Sequence, residues 1–260
     1  MVLRNKQYYC SGDFLYNMFI ALAFIVFLVV AMYAAWRFEK LTAAGSLTGG
    51  LLAACIFAGV SLSGIYLLAA FFVMGTLATS LKRQMKEQAS LQDENRGRRD
   101  AWQVIANGAC AAIIGLIAFI FPIKLDLFEL MIAGAFSAAS ADTLSSELGN
   151  IYGSKYINIL TLKEDKRGLD GVISLEGTIA GLGGSLVIAL LFSSCTGNYA
   201  MIWVLLVAGL LGNIADSILG ATLEREGKLG NNTVNFINTM VGAICAALLF
   251  VLYNLDFVKP

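Results

Sequence analysis

The chain has 260 residues, 58% of them hydrophobic and 14% charged, with 26 Gly, 2 Pro and no His, and a mean hydropathy of +0.75. Soluble domains carry roughly 45–50% apolar and 25% charged residues, so this composition excludes a water-soluble globule and implies an integral membrane protein. The 18 basic and 18 acidic residues cancel; the total calls for no nucleic-acid partner, and the missing His excludes mechanisms that need an imidazole base, relay or metal ligand.

Crossing about 30 Å of hydrocarbon takes about 20 helical residues. On that ruler the apolar runs fall at 14–36, 41–81, 101–123, 125–141, 172–193, 199–219 and 233–252. The first follows Arg4 and Lys6, but its 23 residues exceed the about 7–15 of a cleaved secretory segment, so it reads as a retained helix. The second has 41 uncharged residues. A straight helix of that length would reach roughly 60 Å, so it is predicted to fold back at Ser61-Leu62-Ser63-Gly64. Pro122 and Lys124 mark another tight turn. The expected fold is all-α, a polytopic bundle of about eight helices in four antiparallel hairpins. Residues 1–13 form a short N-terminal segment, 14–252 a single membrane domain and 253–260 a tail. The five Cys are scattered singly and read as small buried hydrophobes.

Alternate connections, at 37–40, 82–100, 142–171 and 224–230, carry two, six, four and two basic residues. Lys and Arg concentrate on the cytoplasmic side, so these connections are expected there and both termini on the non-cytoplasmic side. The polar run 86–99 reads as a solvated loop. The helices returning from this face share a short pattern: "TAAGSLTG" from Thr42, "VIANGACA" from Val104, "SLEGTIAG" from Ser174 and "NFINTMVG" from Asn235. Each has Gly or Asn fourth and a small residue eighth. That spacing lets helices approach closely in lipid, which predicts central packing.

Three constellations could carry chemistry. In "GAFSAASADTLSSELG", from Gly134, Asp142 and Glu147 end an apolar run of small residues. A carboxylate at membrane depth is costly unless paired, hydrated or cation-bound. Positions five apart lie about 140° from each other on a helix, so both carboxylates can meet one ion only if the helix breaks between them. Asp216, in "GNIADSILGATLEREG", repeats the Ala-Asp-hydroxyl unit of Asp142. Asp142, Glu147 and Asp216 are therefore the candidate catalytic carboxylates and ligands of a hard divalent cation, Mg²⁺. The third is "KRGLDGVISLEGTIAG", in which Lys166, Arg167, Gly168, Asp170 and Gly171 lead into a helix whose first turns hold Ser174, Glu176 and Thr178. A helix N-terminus beside basic groups suits phosphate. Lys40, Lys82 and the amides Asn107, Asn235 and Asn238 complete the candidate substrate and nucleotide contacts; for the basic residues, anchoring at an anionic leaflet is the competing role.

"SADTLSSELG", "RGLDGVISLEGTIAG", "ADSILGATLE" and "VNFINTMVGA", in this order, resemble the integral-membrane family known as domain of unknown function 92. That family includes the vertebrate transmembrane protein 19 and a plant phytyl-phosphate kinase. The resemblance runs over about 41–252 and departs at Ile173, where Gly is usual. It implies a membrane enzyme that phosphorylates an isoprenoid monophosphate to the diphosphate with a nucleoside triphosphate, CTP being the favoured donor. Mg²⁺, the lipid phosphate and the bilayer are then its partners. Competing readings are an ion or lipid transporter and a related cytidylyltransferase or lipid-phosphate transferase. Oligomeric state stays open, a homo-oligomer included.

Overall fold

The structure, a computed structural model, describes residues 11–86 and 98–257. The chain forms α1 (Ser11–Arg37), α2 (Ala43–Lys86), α3 (Ala101–Ile120), α4 (Leu125–Tyr152), α5 (Leu175–Thr196), α6 (Ile202–Leu219) and α7 (Asn231–Phe257). Seven helices among the described residues are long and apolar enough to cross a membrane. The expected N-terminal segment lies largely outside the described residues, as do the side chain of Lys82 and most of the polar run 86–99.

α2 spans 44 residues but is broken at Ser61, with φ 61° and ψ −144°. The break folds the run back on itself where the sequence predicts it. Gly45 on the first arm and Gly75 on the second both lie against Arg99, and Lys40 Nζ donates to Ser80 Oγ at 3.4 Å. In a straight helix Gly45 and Gly75 would stand roughly 45 Å apart.

α4 is the hub, in contact with α2, α3, α5, α6 and α7. Central position therefore falls to the helix that carries Asp142 rather than to the returning helices, which pack around it. The physical reason is its composition: Ala133, Gly134, Ala135, Ser137, Ala138, Ala139, Ser140 and Ala141 are all buried and present little beyond backbone. A Cβ at Gly134 would come within 2.6 Å of Gly242 O, one at Gly181 within 2.7 Å of Ala141 O, and one at Gly242 within 2.5 Å of Gly134 O. Gly181 and Gly242 are eighth residues of the repeated pattern, so that spacing is indeed a close-packing device. Ser137 Oγ donates to Leu205 O at 2.8 Å, and Ser185 Oγ to Ser137 O at 3.3 Å.

α4 does not stop at 141 as predicted. It continues unbroken to Tyr152, because 142–152 contains no Pro, and the chain leaves the helix at Gly153 with extended backbone, φ −61° and ψ 134°. A two-residue antiparallel pair, β1 (Ile157–Asn158) with β2 (Val172–Ile173), was not expected in an all-α chain. It folds 157–173 into a compact cap on the α4–α5 connection. The connections at 38–42, 98–100, 153–173 and 220–230 thus gather at one end of the bundle, through the Leu41–Arg99 bridge, the Gly149–Gly177 approach and the Gly171–Ala221 approach.

Candidate functional site

Asp142 sits on α4 and Asp216 on α6, and their carboxyl groups lie within hydrogen-bonding reach of each other. Ala138 one turn before Asp142 touches Gly212 one turn before Asp216. The absent Gly212 side chain draws the two helices together and so brings the two acids face to face. Asp216 Oδ1 is enclosed and has no hydrogen-bond partner among the described residues. Glu224 and Asp170 add their charge to the same pocket. Glu224 closes the π-helical turn Gly220–Glu224 that extends α6; such turns widen a helix and recur at functional sites. Asp170 arrives from the 157–173 cap, where Gly171 has φ 71° and its missing Cβ leaves room for Ala221.

Two half-buried carboxylates in contact, one of them with an enclosed oxygen, need a cation or a shared proton to offset their repulsion and lost hydration. Mg²⁺ is held by one or two carboxylates with phosphate oxygens and water completing its shell. The Asp142–Asp216 pair, with its unsatisfied oxygen, fits that role. The described residues gather no set of three His, Cys, Asp or Glu side chains into a metal site, and α4 does not break between Asp142 and Glu147. Glu147 meets the second arm of α2, where Thr79 Oγ1 donates to its Oε1 at 3.5 Å, and its charge acts on both Arg99 and Asp142.

The phosphate-loop expectation divides. Lys166 and Arg167 are exposed on the cap, whereas Ser174, Glu176 and Thr178 do local structural work. Ser174 is the N-cap of α5, accepting from Gly177 N at 3.1 Å. Glu176 accepts from Ser154 N at 3.1 Å and from Ser154 Oγ, and Thr178 Oγ1 donates to Ser174 O at 3.0 Å. Lys40 is exposed and reaches Ser80. Asn107 Nδ2 donates within its own helix, to Gln103 O at 3.0 Å. Asn238 is fully buried against Gly212, and neither amide atom has a partner among the described residues. Asn235 lies one turn from it on α7, half-buried.

Arg225 was not singled out by sequence, yet it ties the cap to the π-helical turn. Its Nε donates to Asp170 O at 2.6 Å and its Nη2 to Asp165 Oδ2 at 3.0 Å. The Lys166 amide, and then Arg225, hold the Asp165 carboxyl below its ordinary range. A depressed acid stabilises the clasp above its unfolded value, about 3.9, and that contribution is lost as pH falls through the lower folded value. Arg225→Ala is expected to speed tryptic cleavage at Lys163, Lys166 and Arg167 at neutral pH. Unchanged cleavage would mean that the cap is held by other contacts.

A family model described as "Integral membrane protein DUF92" matches residues 26–243. The chain belongs to the DUF92 family. Among DUF92 relatives, it is 34% identical over 226 residues to "Protein VTE6, chloroplastic" of Arabidopsis thaliana, covering 82% of this chain and 67% of that protein. It is 33% identical over 186 residues to an uncharacterized membrane protein of Methanocaldococcus jannaschii, covering 72% and 76% respectively. An uncharacterized membrane protein of Synechocystis is 31% identical over 199 residues, covering 75% and 77%. No solved structure matches the chain.

Proposed function

We propose that this DUF92 chain is an integral-membrane kinase of isoprenoid monophosphates. It transfers the γ-phosphoryl group of a nucleoside triphosphate, with CTP the favoured donor, to give the isoprenoid diphosphate. The observation that carries the reading is the Asp142–Asp216 pair: two acids from adjacent helices, one oxygen enclosed and unsatisfied, at the end of a membrane bundle. The DUF92 resemblance supplies the substrate class.

Phosphoryl transfer asks a protein mainly for positioning and charge neutralisation. An oxygen of the lipid monophosphate attacks the γ-phosphorus, a new P–O bond forms, the bond to the β-phosphate bridging oxygen breaks, and the nucleoside diphosphate departs with that electron pair. A phosphate monoester is largely dianionic near neutral pH, so the nucleophile needs no base and the absence of His is no obstacle. Asp142 and Asp216 would hold Mg²⁺, which when bound neutralises charge on the transferring phosphates. Glu224 and Asp170 bring further negative charge beside the pair and so favour a cation there. Lys166 and Arg167 on the cap, and Lys40 beside Ser80, are within the same end of the bundle and would meet the nucleotide's phosphates. Both termini lie on the non-cytoplasmic side in this reading, so the site draws nucleotide from the cytoplasm.

Purified protein incubated with geranylgeranyl or phytyl monophosphate, Mg²⁺ and γ-labelled CTP, ATP, GTP or UTP is expected to yield labelled isoprenoid diphosphate. No diphosphate with any of the four overturns the reading. Nucleotide-independent flux in proteoliposomes, lost in Asp142→Asn, would replace it with a carrier.

A further inference from the structure

A cavity lies on other helices than those that carry the acid pair. It measures about 170 Å³ and is a half-open recess lined by α1, both arms of α2 and α3, with Phe24, Leu28, Ala53, Leu68 and Phe71 among its walls. Four polar residues also line it: Ser46, Arg99, Gln103 and Asn107. Three of them are engaged. Ser46 Oγ donates to Met32 O, Asn107 Nδ2 to Gln103 O, and the Gln103 side chain accepts from Asp100 N at 3.1 Å.

Arg99 differs. Among the described residues no hydrogen bond fixes its guanidinium, which stands 5.6 Å from the Phe71 ring centroid and in the field of Glu147. Its backbone is held firmly: Arg99 N donates to Lys40 O at 3.1 Å, Thr42 N donates to Arg99 O at 3.0 Å, and Asp100 beside it caps α3. Gly75 makes room for the head group, since a Cβ there would come within 2.5 Å of Nη2. Burial lowers the pKa of Arg99 and the Glu147 charge opposes that; a guanidinium begins high enough to stay protonated.

A fork of five N–H donors matches phosphate oxygens bidentately. A benzene-sized guest fits an apolar space of about 150 Å³, so the apolar part of this recess has room for one or two isoprene units, with the rest of a longer tail leaving between α1 and α2 toward lipid. Thr79, one turn beyond the Gly75 that lies over Arg99, donates to Glu147 on α4, so the Arg99 head group faces the helix that carries Asp142.

We infer that the α1–α2–α3 cavity is the acceptor site, holding the head-proximal part of an isoprenoid tail while Arg99 binds its monophosphate. The substrate class rests on the kinase reading; the location of the tail does not. A Cβ at Gly49, on the cavity wall, meets nothing nearer than 3.8 Å, at Val104 Cγ1, so Gly49→Leu fills the cavity without striking backbone.

The test is equilibrium binding of labelled geranylgeranyl monophosphate, and separately of geranylgeraniol, to the full chain in detergent without nucleotide. Turnover is followed in parallel and thermal unfolding checks the fold. Gly49→Leu is expected to weaken binding of both ligands about 10-fold or more, whereas Arg99→Gln weakens the monophosphate alone and Asp142→Asn leaves binding intact while stopping transfer. Gly49→Ala, with the smaller side chain, is expected to bind nearly as the parent does. If Gly49→Leu binds and turns over like the parent, the tail lies elsewhere and only this inference fails. If tail binding follows the expected pattern but the parent forms no diphosphate, the kinase reading fails and the site stands. A parent that binds no isoprenoid phosphate overturns both.

Discussion

Asp142→Asn and Asp216→Asn are each expected to lower kcat for phosphoryl transfer by about 10²–10³ or more, without lowering the unfolding temperature of metal-free protein. The two effects have one cause. The pair is two acids in contact, with Asp216 Oδ1 enclosed and unsatisfied, so replacing either carboxylate by an amide relieves repulsion that only a bound cation otherwise offsets. A ligand at a hundred times its Kd stabilises a fold by about 2.7 kcal/mol. Mg²⁺ should therefore raise the unfolding temperature of the parent and not of either variant. Glu147→Gln, which alters the contact with Thr79 and the field at Arg99, should keep the Mg²⁺ shift. Parental turnover in Asp216→Asn, or a Mg²⁺ shift that survives both Asn substitutions, would remove the pair from the centre of the mechanism.

The sequence made legible whatever depends on local pattern. Apolar run lengths identify the spans, and the excess length of 41–81 requires the reversal found at Ser61. The Ala-Asp-hydroxyl units of Asp142 and Asp216 predict that two distant segments share a site. Their meeting depends on Gly212 and Ala138 in the turns before them, a packing fact with only a small-residue signature. Roles set by tertiary contact were hidden. Arg99 resembles any basic residue flanking a span until the fold of α2 lays Gly75 over it. Glu224 follows a small-residue stretch like many helix ends, and its position depends on the π-helical turn. Ser174, Glu176 and Thr178 combine phosphate-loop composition with N-cap composition, because both exploit helix N-terminal amides. The geometry of Ser174 and Gly177 assigns the cap.

Gly59→Leu and Gly115→Leu are expected to be the most destabilising single substitutions away from the acid pair. At the end of the bundle near the Ser61 break, the two residues bring the backbones of α2 and α3 into contact. A Cβ at Gly115 would come within 2.7 Å of Cys55 O and 2.9 Å of Ile56 Cα, and one at Gly59 would strike the backbone of Gly115. Those neighbours are main-chain atoms of helices and cannot rotate aside, so α2 and α3 must separate locally around Gly59 and Gly115. Overpacking costs about 1–3 kcal/mol, and a rigid backbone neighbour puts these sites at the upper end. For a chain of this size about 1 kcal/mol shifts an unfolding midpoint by about 2–4 °C, so a fall of several degrees is the readout. Gly183→Leu is the control: nothing lies within 4 Å of its Cβ position, and its midpoint should hold. Because Gly59 lies about 20 Å along the first arm of α2 from Gly45, beside Arg99, the folded fraction of Gly59→Leu should retain parental kcat. Loss of kcat without loss of stability would mean that the α2–α3 contact moves during turnover, and that the glycines are there for motion rather than for close packing.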